Sequence, residues 1–115
     1  MKNIILIFGL LFFSSVAIAD DGWYLARTIQ TVKIVVIDKD KEYNTEIYNT
    51  AISNLCPNKD ECSILFWSNS KFCPTTIPMD DNSVNSLIAS YYMNNGKIRF
   101  LQSCHINNDP HVCFN

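Results

Sequence analysis

The chain has 115 residues, five cysteines and a formal net charge of −2 at pH 7. That length holds one domain with a single modest core. Mild acidity without a basic stripe argues against nucleic acid as a partner.

Residues 1–19 have the layout of a cleaved signal peptide. Lys2 supplies the positive start, Ile4–Phe13 the apolar core, and Ala17-Ile18-Ala19 the small-x-small cleavage site. The apolar core is too short to cross a bilayer as a helix. One exported domain over residues 20–115, beginning at Asp20, is therefore expected. No cysteine lies beside the cleavage site, and no later apolar run is long enough to span a membrane. No lipid anchor and no stable membrane attachment are expected. The N-x-[ST] sequon does not occur. The pattern suits a periplasmic or secreted bacterial protein, in which cysteines pair by default.

Trp23–Ile29 starts the fold. Thr31–Ile37 (T-V-K-I-V-V-I) is apolar on both parities, the pattern of a strand buried on both faces. A charged loop follows at 38–42. A first helix is predicted from Asn44 to Leu55, capped by Asn44 or Thr45. Ile47, Tyr48, Ala51, Ile52 and Leu55 share one of its faces. Pro57 ends it. A second strand is predicted over Ser63–Ser68, followed by an irregular stretch over Ser70–Met79.

Asp80 or Asp81 is placed to cap a second helix. Val84, Leu87, Ile88, Tyr91 and Tyr92 recur at helical spacing, and Asn94-Asn95-Gly96 reads as its C-terminal stop. A third strand spans Lys97–Ser103, with Ile98 and Phe100 on one face and Arg99 and Leu101 on the other. A polar tail runs from Cys104 to Asn115. The expected fold is α/β: a β-α-β-α-β unit whose short, mostly parallel three-stranded sheet has order 2-1-3, with two helices and disulfide staples. An antiparallel α+β arrangement is the rival.

Cys56 and Cys62 flank a five-residue loop, so a disulfide there staples helix to strand. The spacing does not fit the two-residue gap of redox and zinc motifs. Cys104-His105 and His111-x-Cys113 combine thiols with imidazoles. His105 and His111 are thus candidate metal ligands, weighed against a Cys104–Cys113 disulfide that export favours. Cys73 is left as the odd thiol, a candidate nucleophile or a buried inert group. A Cys73–Cys104 bond is the competing pairing. Asp38, Asp40, Glu42 and Asn44 alternate like the start of a calcium loop, but Tyr43 replaces the required Gly and Asn49 the closing Glu. Tyr91, Tyr92 and Trp67 are candidates for an aromatic platform or for core.

The span Tyr48–Asn94 resembles small exported bacterial proteins of uncharacterised function. The matching features are A-x-x-x-L-C, C-S-I-L-F-W, P-T-T-I-P-M and A-S-Y-Y-M-N. The resemblance implies an exported folded domain and brings no functional residue with it.

The expected function is a non-catalytic periplasmic or secreted binding module, of inhibitor or immunity type, whose partner is another exported protein. No cofactor is expected. The alternatives are a thiol-dependent enzyme or redox carrier using Cys73, and a structural envelope component.

Overall fold

The structure, a computed structural model, describes residues 22–57, 60–109 and 111–115. The expected signal segment and the start at Asp20 lie outside the described residues. Among the described residues six strands form one mixed sheet: β1 (Trp23–Ile29), β2 (Val32–Ile37), β3 (Glu61–Trp67), β4 (Ala89–Asn94), β5 (Lys97–Ser103) and β6 (Cys113–Phe114). Their spatial order follows the chain, β1-β2-β3-β4-β5-β6. Neighbours β1/β2, β3/β4 and β4/β5 are antiparallel, while β2/β3 and β5/β6 are parallel. Among the described residues two α-helices accompany the sheet, α1 (Thr45–Leu55) and α2 (Asp81–Ser86). No helix among the described residues is long and apolar enough to cross a membrane.

Each element has a local cause. In β2, Ile34–Ile37 are all buried, so the strand is covered on both faces. The Asn44 side chain accepts a hydrogen bond from the Glu46 backbone N–H at 3.0 Å, satisfying one free donor of α1 and contributing about 1 kcal/mol. The helix lays Tyr48 and Ala51 onto Val35, Ile37, Ile64, Phe66 and Tyr91. Tyr48 meets Phe66 and Phe100 edge to face at 5.2 and 5.8 Å. Its hydroxyl donates to the Glu42 carbonyl at 2.6 Å, which gives a fully buried polar group its partner.

This architecture corrects the expected one. The sheet has six strands, not three, and is mostly antiparallel. The order 2-1-3 fails because β3 carries β4, not bare solvent, on its far side, and β5 sits beyond β4 without touching β2. The error lies in the stretch read as the second helix. Asp80 caps it as expected, accepting from the Ser83 N–H at 2.9 Å, but α2 ends at Ser86. Ala89–Asn94 is strand: Ala89, Tyr91 and Met93 are buried, while Ser90, Tyr92 and Asn94 face away.

Both periods fit the apolar positions of so short a segment, and pairing on both sides decides for the strand. Asn95 and Gly96 both take positive φ, 53° and 82°, and form the two-residue turn between β4 and β5. Asn-Gly suits that hairpin turn as well as it suits a helix stop.

Alternation and register sort the side chains into two faces. Trp23, Val35, Ile37, Ile64, Phe66, Tyr91 and Phe100 meet α1. Ile34, Val36, Leu65, Trp67, Tyr92 and Arg99 belong to the opposite face. Part of that second face is closed by the irregular stretch after β3. The Trp67 Nε1–H donates to the Ser83 carbonyl at 2.9 Å, and the Arg27 guanidinium donates to the Pro74 carbonyl at 2.6 Å.

Candidate functional site

The cysteines pair as Cys56–Cys62 and Cys104–Cys113, leaving Cys73 free. The first bond joins the end of α1 to β3, and the second holds β6 beside β5. Each closes a short loop, which stabilises the fold by about 2–3 kcal/mol through the entropy of the unfolded chain. With these four sulfurs in disulfides, none is available as a thiolate ligand.

His105 and His111 do not converge. Nδ1 of His105 lies 2.7 Å from Ser103 Oγ, and Nδ1 of His111 lies 3.3 Å from Asp109 Oδ1; all four side chains are surface groups. Among the described residues no three His, Cys, Asp or Glu side chains stand close enough to hold a metal ion. The Ser103–His105 contact is local, and no carboxylate among the described residues bonds the second ring nitrogen. The alternating acids at 38–44 also part company. Glu42 is buried, Asn44 caps α1, and Asp38 faces Lys41 at 3.9 Å.

Cys73 lies half-buried after the 3-10 turn at Ser70–Phe72, on the rim of a depression of about 380 Å³. Phe72, Pro74, Thr76, Met79 and Asp80 are among its walls. Burial pushes the thiol pKa up, and the positive charge of Arg27 offsets only part of that. No histidine lines the depression. The site therefore offers a thiol whose protonated form is favoured, with no histidine on its walls and with the Asp80 carboxylate engaged in capping α2.

The aromatic candidates divide between the faces. Trp67 and Tyr91 are core, at 0% and 6% exposure, but Tyr92 is 40% exposed. Tyr92 belongs to a row across five strands. Register aligns Ile29, Val32, Ser63, Tyr92 and Arg99 on the face away from α1. The stretch 68–88 covers the neighbouring end of that face, over Val36 and Trp67, and leaves this row open: Ile29, Val32 and Ser63 are half-buried, while Tyr92 and Arg99 are exposed. The Tyr92 hydroxyl donates to Glu61 Oε2 at 3.2 Å, which fixes the ring across the surface. Among the described strand residues, Arg27, Lys97 and Arg99 share this face with one acid, Glu61, so these strands present a locally basic surface on an acidic chain.

Beside the row runs the outer edge of β5. The strand β6 pairs there only at Gln102 and Ser103, so Lys97–Leu101 has no strand neighbour on that side among the described residues. Ile98, on the α1 side of this edge, is 63% exposed.

Reading the sequence did not single out Arg99, Lys97 or this edge. The available signal was the alternation S-Y-Y-M-N, then N-G, then K-I-R-F, which is the pattern of a hairpin. Comparison of the chain with protein-family models, with curated proteins and with solved structures gives no match.

Proposed function

We propose that this protein is a non-catalytic binding module of the exported space, and that it docks another exported protein through the open half of its sheet. The observation that carries the reading is the row Ile29, Val32, Ser63, Tyr92, Arg99. It presents aliphatic surface beside a hydrogen-bonded tyrosine and an arginine, the two residue types of the row that protein interfaces concentrate. The raised pKa of Cys73 and the absence of a histidine around it favour this reading over a thiol enzyme.

Site-directed photo-crosslinking tests it. A photo-reactive residue at Tyr92 is expected to give one stoichiometric adduct with an envelope or secreted protein. The same group at Ser53, on the exposed side of α1, should not. Equal labelling from both positions, or none from Tyr92, removes the reading.

A further inference from the structure

We infer that the free edge of β5 is a strand-addition site for an acidic, extended segment of the partner, laid beside Lys97–Leu101 in line with β6. The inference rests on the binding-module reading above. The edge is already used once: β6 pairs with it at Gln102 and Ser103, and the pairing stops there. The next five residues repeat the geometry without a neighbour among the described residues. An unpaired edge offers main-chain donors and acceptors to any extended chain, and its side chains select which one.

The charge on the edge selects the occupant. Lys97 and Arg99 point to the open face, and the Glu61 carboxylate on that face is bonded to Tyr92. A second copy of this chain is disfavoured. Antiparallel self-pairing centred on Arg99 sets arginine against arginine, and pairing centred on Ile98 sets Arg99 against Lys97. Like charges directly opposite destabilise a strand pair. Carboxylates at the same positions meet both cations. The exposed Ile98 offers the other side of the added strand an apolar contact.

The test uses the full exported chain with two probes: a short soluble peptide alternating Glu with Val, and the same peptide with Lys for Glu. Amide hydrogen exchange reads where each one binds. The Glu peptide is expected to slow exchange within Lys97–Leu101, and the Lys peptide to have no effect. In the double variant Lys97→Glu/Arg99→Glu the preference is expected to invert, with the Glu peptide weakened at least about tenfold. Both positions are exposed, so the fold is expected to survive, and a near-ultraviolet CD spectrum checks it.

Lys71→Glu, an exposed charge outside β5, should leave the preference unchanged. No protection by either peptide, protection on β1 in place of β5, the same preference in the double variant, or tighter binding to anionic lipid vesicles than to the Glu peptide would each overturn the inference. None of these outcomes alters the Tyr92 crosslinking result, so the two proposals can fail separately.

Discussion

The two faces of the sheet are closed by different means. On one, α1 delivers Tyr48 and Ala51 into a continuous core with Phe66, Ile64 and Tyr91, all nearly or wholly buried. On the other, an irregular stretch is held over Val36 and Trp67 by two long-range hydrogen bonds, and the rest of the face stays open. A helix with a full apolar stripe seals a sheet by area. An irregular segment seals only where its own polar groups find partners. The first face thus supplies most of the stability, and the second keeps surface free for contact.

Truncation at adjacent positions of β3 separates the faces most sharply. Phe66→Ala removes a fully buried ring from the α1 side and should cost about 3–5 kcal/mol in denaturant unfolding. Leu65→Ala, one residue away on the half-open side, should cost about 1 kcal/mol. Equal costs would mean that the second face is as well packed as the first.

The disulfides should come next. Cys104→Ser/Cys113→Ser is expected to lower stability by about 2–3 kcal/mol and to release β6, seen as faster exchange of the backbone amide at position 104, which in the native chain donates from Cys104 to the Phe114 carbonyl at 2.9 Å. Exchange at position 104 that stays slow in the double variant would show that β6 holds without its bond.

A smaller effect is expected from Arg27→Ala, about 0.5–1.5 kcal/mol for loss of the bond to Pro74. Its signature is proteolytic cleavage within Ser70–Met79 well before global unfolding. If cleavage there is not accelerated, the guanidinium does not hold the segment down.

The smallest effect concerns Cys73. Because folding raises its pKa through burial, alkylation near neutral pH should be slower in the folded protein than after denaturation, and should speed up as pH rises. The sign for stability follows: the protonated thiol's contribution is complete below the ordinary thiol pKa and is lost as pH rises through the raised one. Native-state alkylation as fast as that of the unfolded chain would contradict the burial.

Local features were legible in the sequence down to short lists. A cap at Asn44 or Thr45, a cap at Asp80 or Asp81, the apolar face of α1, the apolar run of β2 and the short-range cysteine pairs are readable from groups close in sequence. The structure selects Asn44, Asp80 and the bonds Cys56–Cys62 and Cys104–Cys113 over the Cys73–Cys104 competitor. The fate of Ala89–Tyr92 did not. Its apolar residues satisfy a helical and a strand period alike, and Asn95-Gly96 serves either a helix stop or a hairpin. Only pairing with β3 on one side and β5 on the other resolves that ambiguity, since each ladder adds main-chain bonds a lone helix turn cannot match. Which half of the second face stays open was likewise beyond the sequence. It depends on Arg27 reaching Pro74 and Trp67 reaching Ser83, contacts spanning 47 and 16 residues, and so exists only once the sheet has formed.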